Sequence, residues 1–357
     1  MDGNLRLSLV LIMRDAEADI LRCLASCAEA VDEMVICDTG SRDRSVARVR
    51  KFLRRWQAPG RRGELCRYKW RDDFAAARNY ALSRASGDWA LLLDSDEYLA
   101  EGAAARLRAA VEELRAGGYD VAELVRLNTD REGRALAGVP AEDLAVRLAR
   151  LDPALRYRGE VHEQLLWADG RELRHMAVPG ERLLIVHTGY SPEVKRAKDE
   201  RNMRILLREE RQGGSTFLLD HYLAQLHLER REYGAAMRRA EAALRGNRPV
   251  HDRFAPWRCL LKATVEQAQS APGPAAEAQL QEVLERCLRA EPDYPDGYYI
   301  RGVLRLNAGG HLDALRDLER AEELAQTFGR LHPGQEDGFA PLRPALAEAL
   351  AEARGKS

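Results

Sequence analysis

The first half of the chain alternates between short apolar runs and segments in which apolar residues recur at helical spacing. β-Strands are predicted by the runs at 5–13, 35–37, 65–70 and 89–93. This alternation of strands and helices is typical of a mostly parallel sheet with helices on both faces. Ligands of such sheets bind beyond the carboxyl ends of the strands, so the residues just after these runs are the first candidates for a site.

Three carboxylates follow the fourth apolar run. Asp94, Asp96 and Glu97 come after residues 89–93. Side chains alternate along a strand, so Asp94 and Asp96 are predicted to leave its end on the same side, roughly 7 Å apart. One interpretation is that these acids cap the helix predicted at 100–115. The other is a site for Mg²⁺ or Mn²⁺, which prefer carboxylate oxygens and often keep a substrate phosphate as a further ligand.

An arginine interrupts the buried stripe of the third predicted helix. Arg78 stands four residues after Phe74 and four before Leu82, so it shares their face. A guanidinium on an inward face needs an anionic partner. That partner is either Asp38 or Asp96 in a structural ion pair, or a ligand phosphate, which arginine binds through two hydrogen bonds. The second strand ends at Asp38, and the combination suits a nucleotide-diphosphate ligand.

Several classes of protein are disfavoured by the sequence. The loop after the first strand, residues 14–19, contains no glycine, whereas a nicotinamide-dependent dehydrogenase would have Gly-x-Gly-x-x-Gly there. A P-loop sequence is also missing. The 56 basic and 57 acidic residues produce no net field that would attract nucleic acid. We therefore expect neither a dinucleotide-dependent oxidoreductase nor a nucleic-acid partner.

The cysteines and the N-terminal segment bear on the cellular compartment. The six cysteines form no Cys-x-x-Cys pair and have no zinc-type histidine spacing, so they are predicted to be reduced core residues. The apolar segment 7–13 is too short to span a membrane, and no leader peptide accompanies it. These features predict a cytoplasmic protein without a transmembrane segment.

From residue 193 onward the strand signals disappear and small residues recur at fixed intervals. One set is matched by a second set, each with intervals of 12 and then 7 residues: Ala224, Ala236 and Ala243, then Gly302, Ala314 and Ala321. These intervals are typical of helix-turn-helix tetratricopeptide repeats. Residues 254–290 are interpreted as an irregular unit with an insertion at 271–274. The predicted domains are therefore residues 1–192, of α/β class, and residues 193–357, which are all helical. The helical domain is expected to bind an acceptor peptide, to form a homodimer or to give structural support.

Three spaced blocks carry a resemblance to a known family. Residues 32–43, 70–79 and 89–97, in this order, resemble the inverting family 2 glycosyltransferases, which have the Rossmann-like nucleotide-diphosphosugar transferase (GT-A) fold. The resemblance covers roughly residues 5–190. It is strongest to a bacterial subgroup with a tetratricopeptide-like C-terminal domain, which includes sublancin-type peptide S-glycosyltransferases and relatives of lipopolysaccharide-core glucosyltransferases.

The resemblance implies roles for five residues. Asp38 would contact the nucleoside, Arg78 the nucleotide or its diphosphate, and Asp94 the ribose side. Asp96 would bind the divalent metal, Mn²⁺ or Mg²⁺. A late histidine commonly completes the metal shell in this fold, which implies His187.

A second segment resembles the acceptor side of the same family. It spans residues 156–163. An inverting transfer needs a general base beside the acceptor nucleophile. Glu163 is the first candidate for this base and Glu160 the second, while His162 is a weaker candidate than His187 for the metal. Family members often read Asn-Glu-Glu after the first strand, whereas this chain has acidic residues and an alanine at 15–17.

The function implied by the resemblance is a metal-dependent, inverting transfer of a sugar from a UDP-sugar to a peptide or protein, a glycan or a lipid-linked acceptor. Two alternatives remain open. A non-catalytic tetratricopeptide scaffold on a degenerate transferase domain would not need Asp96. A nucleotidyltransferase would share the fold and the metal but would release pyrophosphate, and its glycine-rich first loop is missing here.

Overall fold

The computed structural model describes residues 5–136, 141–189, 192–213, 216–246, 253–331, 339 and 342–356. The chain divides into two compact units, 1–205 and 206–357. The predicted boundary after residue 192 falls at the start of a long helix, whereas the two units divide inside that helix. No helix among the described residues is long and apolar enough to cross a membrane.

The strands all lie in the first unit. They are β1 (Leu7–Met13), β2 (Glu33–Asp38), β3 (Arg62–Arg67), β4 (Trp89–Leu92), β5 (Glu97–Leu99), β6 (Val121–Asn128), β7 (Glu142–Arg150), β8 (Leu155–Arg158), β9 (Gln164–Trp167), β10 (His175–Val178) and β11 (Leu184–His187). The helices of this unit are α1 (Ile20–Cys27), α2 (Ser45–Trp56), α3 (Phe74–Leu82), α4 (Ala103–Ala116) and the beginning of α5 (Pro192–Gly213).

The main sheet is mixed, with both parallel and antiparallel strand pairs. Its strand order is β3-β2-β1-β4-β7-β6-β11-β5, with β10 also paired to β6. The first four strands are parallel, as predicted. However, β7 runs antiparallel to both β4 and β6, and β5 runs antiparallel to β11. The predicted α/β class is confirmed. The predicted parallel pairing holds for these four strands and for β6 with β10 and β11, while β7 and β5 form antiparallel pairs.

Both faces of the sheet are covered, by different kinds of element. Alternate residues of β1, including Leu7, Leu9 and Leu11, pack on one side with α1, α2 and α4. Val10 faces the other side, where it packs with α3 and with the separate β8–β9 hairpin. Because side chains alternate along the strand, β1 contributes apolar residues to the hydrophobic cores on both faces of the sheet.

The predicted position of the third strand was wrong by three residues at each end. The predicted strand was 65–70, but β3 begins at Arg62 and ends at Arg67. This strand lies at the edge of the sheet, where Arg62 forms an ion pair with Glu33 on β2. Trp70, which suggested a longer strand, packs edge to face on Phe74 at 4.7 Å between ring centroids. The apolar pattern thus extends beyond the end of the strand because Trp70 packs against α3.

One strand register sets the far end of the site. His187, the last residue of β11, is paired with Glu97 on β5 and with Asn128 on β6. Beyond it, Thr188 N donates to Asp96 O at 3.0 Å. The end of β11 is therefore tied on both sides to segments that carry polar side chains.

The second unit consists of helical hairpins. Its helices are α6 (Phe217–Glu229), α7 (Tyr233–Arg245), α8 (Ala255–Ser270), α9 (Pro274–Ala290), α10 (Pro295–Asn307), α11 (His311–Leu331) and α12 (Arg343–Lys356). The turns at 230–232, 271–273 and 308–310 are equally long. The predicted insertion at 271–274 is therefore wrong, because these residues form an ordinary turn and the start of α9. The small residues predicted at close helix contacts are buried, for example Ala224, Ala236 and Ala314.

Candidate active site

The carboxyl ends of β1, β2 and β4 meet at one edge of the sheet, as their parallel pairing requires. The predicted residues Asp38, Asp94 and Asp96 all lie at this edge. Strand β4 ends at Leu92, and a turn follows in which Glu97 N donates to Asp94 O at 3.0 Å. Asp94 and Asp96 therefore do not continue a strand, and their side chains reach different partners rather than the same side.

The helix-cap interpretation of these acids is wrong. The helix that follows, α4, begins at Ala103 behind Gly102, which has a left-handed backbone (φ 75°) and no side-chain cap. Asp94, Asp96 and Glu97 instead accept hydrogen bonds from basic side chains or lie beside them.

Arg78 reaches inward, as predicted, but to unexpected partners. Its Nη2 donates to Asp94 Oδ1 at 2.7 Å and its Nε to Glu163 Oε1 at 2.5 Å. The predicted ion pair with Asp38 or Asp96 is therefore wrong. Burial alone would lower the pKa of Arg78, but the two carboxylates outweigh it and raise that pKa. Arg78 remains charged and is shared between Asp94 and Glu163.

Glu97 and Arg147 extend this ion-pair cluster. Glu97, whose side chain is fully buried, accepts from Arg147 Nε at 2.7 Å and from Arg147 Nη2 at 2.6 Å. Arg147 Nη2 also reaches Asp94 Oδ2 at 3.0 Å. Burial alone would raise the pKa of Asp94, but Arg78 and Arg147 hold it well below its usual range. Asp94 is thus an ionised carboxylate fixed between two arginines.

The sequence contained a signal for this cluster that the prediction missed. Arg147 stands between Val146 and Leu148, and Arg126 stands between Val125 and Leu127, each inside an alternating strand. An arginine at such a position points either to solvent or, as here, to an acid in the sheet. Arg126 contacts Glu97 Oε1 at 3.1 Å and Asp143 Oδ1 at 2.7 Å.

Asp96 faces a histidine whose ring orientation is fixed. Asn128 Nδ2 donates to Asp143 Oδ2 at 3.3 Å, which turns Asn128 Oδ1 toward His187 Nδ1 at 3.0 Å. Because Oδ1 can only accept, His187 Nδ1 is the donor, and in the neutral ring Nε2 carries the lone pair. This Nε2 lies 3.6 Å from Asp96 Oδ2. Burial alone would raise the pKa of Asp96, but His187 and Lys198 lower it.

The donor atoms of this pair fit a divalent metal in part. Two ligands that each bind one ion at about 2.1 Å lie roughly 3.0 to 3.4 Å apart, close to the observed separation. A Cβ at Gly189 would lie 1.8 Å from Asp96 Oδ2 and 2.7 Å from His187 Nε2, so there is no room for a side chain at this position. Across the described ranges no group of three His, Cys, Asp or Glu side chains is placed to hold a metal. The remaining ligands would have to be substrate phosphate and water, as is usual for Mg²⁺.

The buried carboxylate of Asp38 organises the neighbouring loop. Its Oδ1 accepts from Ser41 N at 3.0 Å. The two acids of the preceding loop also bind this segment, since Asp15 Oδ1 accepts from Arg42 N at 2.7 Å and Glu17 Oε2 from Arg44 N at 2.8 Å. The departure from Asn-Glu-Glu therefore leaves carboxylates that hold one loop against the other.

Helix α3 holds the segment that carries the two candidate bases. Phe74 N donates to Glu160 O at 2.8 Å. Asn79 makes two hydrogen bonds with the backbone of Tyr157. Asn79 Nδ2 donates to Tyr157 O at 2.8 Å, and Tyr157 N donates to Asn79 Oδ1 at 2.9 Å. With the Arg78 contact to Glu163, this places Glu163 beside Asp94. His162 lies in the same β8–β9 turn with a positive φ of 54°.

Comparison with known proteins gives a family match in the first unit. The family described as "Glycosyl transferase family 2" matches residues 8–140. A tetratricopeptide (TPR) repeat-containing protein of Synechococcus elongatus is 34% identical over 257 residues, which cover 68% of this chain and 58% of that protein. The chain thus spans less than two thirds of the length of this relative.

Solved structures show more distant likeness. TarS 1-349 of S. aureus, in complex with UDP-GlcNAc, is 16% identical, with 74% of this chain and 91% of that chain covered and a TM-score of 0.43. The mannosyltransferase PcManGT from Pyrobaculum calidifontis, in complex with GDP-Man and Mn²⁺, is 16% identical, with 80% and 81% covered and a TM-score of 0.45.

Proposed function

We propose, from the premise that residues 8–140 form a glycosyl transferase family 2 domain, that this protein is a metal-dependent, inverting glycosyltransferase. Its donor is a UDP-sugar, and its acceptor is a peptide or protein, a glycan or a lipid-linked molecule. The observation that carries the proposal is the pairing of Asp96 with His187, whose tautomer is fixed by Asn128. The premise agrees with the resemblance found in the sequence.

The residues of the chain divide the work as follows. Asp38 binds the nucleoside from the end of β2, and Asp94 lies on the ribose side. Asp96 and His187 would hold the metal, which when bound would stabilise the negative charge of the departing diphosphate. Glu163, with Glu160 as the second candidate, receives the proton of the acceptor nucleophile. Such a base must lie within hydrogen-bond reach of that nucleophile, and Glu163 lies at the wall of the site beside Asp94 through their shared arginine.

The test is a screen of UDP-sugars for slow hydrolysis in the presence of Mn²⁺ or Mg²⁺, which identifies the donor without knowledge of the acceptor. Asp96→Asn and His187→Ala are expected to lower turnover by about 10²-fold or more. Asp169→Asn is the matched control, because Asp169 is an exposed acid in the turn after β9. No UDP-sugar turnover by the wild-type chain, together with biological activity that is retained in Asp96→Asn, would favour the non-catalytic scaffold.

A further inference from the structure

The part of helix α5 that belongs to the first unit carries a row of basic side chains. Lys198, Arg201 and Arg204 recur every third residue and so lie on one side of the helix. Lys198 Nζ lies 3.9 Å from Asp96 Oδ2, the same oxygen that faces His187. At the other end of the row, Arg204 Nη2 lies 3.3 Å from an Asp72 carboxylate oxygen. The row therefore begins at the proposed metal pair.

Arg201, in the middle of the row, lacks a carboxylate partner among the residues that the structure describes. Its guanidinium lies 4.7 Å above the ring of Phe74, and its Nε and Nη2 donate to the neighbouring Asn202 Oδ1 at 3.2 and 3.1 Å. Burial lowers the pKa of Arg201, and the nearby charges of Glu163 and Asp72 offset this in part. A half-buried guanidinium in this state gains from an anionic ligand.

The arginine predicted to bind the diphosphate has little capacity left. Arg78 already donates to both Asp94 and Glu163. A nucleoside diphosphate carries several negative charges, and a metal at Asp96 neutralises part of them. The remaining charge calls for cations at the wall of the site, where Lys198 lies 3.9 Å from Asp96 Oδ2 and Arg201 lies near the charge of Glu163.

We propose that Lys198 and Arg201 bind the diphosphate of the donor, so that α5 is part of the donor site. This inference rests on the proposed function. Lys198 places a cation beside Asp96 in the absence of metal, so UDP retains measurable affinity in EDTA. The contribution of Lys198 is therefore larger in EDTA than in Mn²⁺.

The experiment is calorimetric titration of the full chain with UDP and with uridine, in Mn²⁺ and in EDTA. Lys198→Met and Arg201→Met are each expected to weaken UDP about tenfold, the worth of one hydrogen bond to a charged group. Uridine binding stays unchanged. Lys198→Arg and Arg201→Lys, which keep the charge, retain most of the affinity. Arg196→Met is the matched control, since Arg196 is on the same helix, is 84% exposed and pairs with Glu200.

The outcomes separate this inference from its premise. If the wild-type chain binds UDP and both methionine variants bind it within about twofold of wild type, α5 has no role in the donor site and the inference fails alone. If the wild-type chain does not bind UDP, both the donor assignment and this inference are wrong. Unfolding curves that match wild type show that a weakened variant is folded.

Discussion

Arg147 is a charged side chain that the sheet has enclosed. It projects from β7, and its guanidinium is shared by Glu97, whose side chain is fully buried, and Asp94, whose side chain is partly exposed. Taking charges out of water is costly, and the cost is offset here because each charge meets an opposite one at hydrogen-bond distance. The cluster is therefore stable as a set and vulnerable to the loss of any member.

Replacement of Arg147 by methionine should destabilise the protein by about 3–5 kcal/mol, because the fully buried Glu97 loses the arginine that makes two hydrogen bonds to it and keeps only Arg126, at 3.1 Å. Urea unfolding at neutral pH measures this. Arg150→Met on the same strand is the control: Arg150 is half exposed and pairs with Asp152, so its loss should change stability by about 1 kcal/mol or less. Equal effects of the two substitutions would contradict the account of the cluster.

At the scale of elements, α3 fastens the β8–β9 hairpin, which is not a part of the main sheet. The helix is capped by Asp73, whose Oδ1 accepts from Ala76 N at 2.8 Å. Its first residue, Phe74, and then Arg78 and Asn79 hold the hairpin that carries Glu163. The position of the proposed base therefore depends on one short helix.

The substitution Asn79→Asp tests this dependence. It keeps the shape of the side chain but places an oxygen opposite the carbonyl of Tyr157, so one of two hydrogen bonds becomes a repulsion. We expect a loss of about 1–3 kcal/mol in local stability, seen as faster amide exchange across 155–167 with β1 and β4 still protected. Ser83→Ala, beyond the end of α3, is the control. Unchanged exchange in Asn79→Asp would show that the hairpin does not need this contact.

In the second unit, Gly302 allows α10 to approach α11. A Cβ at this position would lie 2.8 Å from Cγ and Cδ2 of Leu318, which is fully buried. Gly302→Ala should therefore cost about 1–3 kcal/mol through overpacking, measured by urea unfolding followed by circular dichroism. Gly234→Ala on α7 is the matched control: its Cβ would meet nothing nearer than Arg238 Nη1 at 3.6 Å, so no loss is expected. A stabilised Gly302→Ala would contradict the predicted close packing.

At the scale of the whole molecule, the loss of stability in acid is the sum of the contributions of all carboxylates whose pKa is lowered by folding. Glu33, buried at the start of β2, is one of them. Burial alone would raise its pKa, but hydrogen bonds from Ser8, Ser86 and Arg62 lower it. The pKa values of Asp94 and Asp96 are also lowered. These groups bind protons more readily in the unfolded chain, whose carboxyl pKa values are about 4.

Stability should accordingly be complete above about pH 5 and fall as the pH is lowered through 4 toward the folded-state values. Urea midpoints at a series of pH values between neutrality and acid measure this. Glu33→Gln should be less stable than wild type at neutral pH, and its stability should decline less steeply in acid. An equally steep decline would remove Glu33 from the explanation.

The sequence predicted those parts of the fold and the site that depend on local pattern. Asp38, Asp94 and Asp96 were placed at strand ends because apolar runs stop there, and Arg78 was placed inward by helical spacing. The partner Glu163 stands 85 residues away from Arg78, and such a pairing depends on the tertiary fold. Arg147 resembled an outward residue of an alternating strand, since alternation alone does not tell solvent from a buried acid.

The register of β11 has a consequence for how this chain tolerates changes in length. His187 stands opposite Glu97 and Asn128 because β11 is held in one alignment on both sides, and a shift by one residue would turn its side chains to the opposite face. A single residue inserted after Ile185 should therefore abolish Mn²⁺-dependent UDP binding, whereas one inserted at Gly170, in a turn after β9 with φ 78°, should be tolerated. Among relatives of this chain, length should vary in the turns and stay fixed along β11.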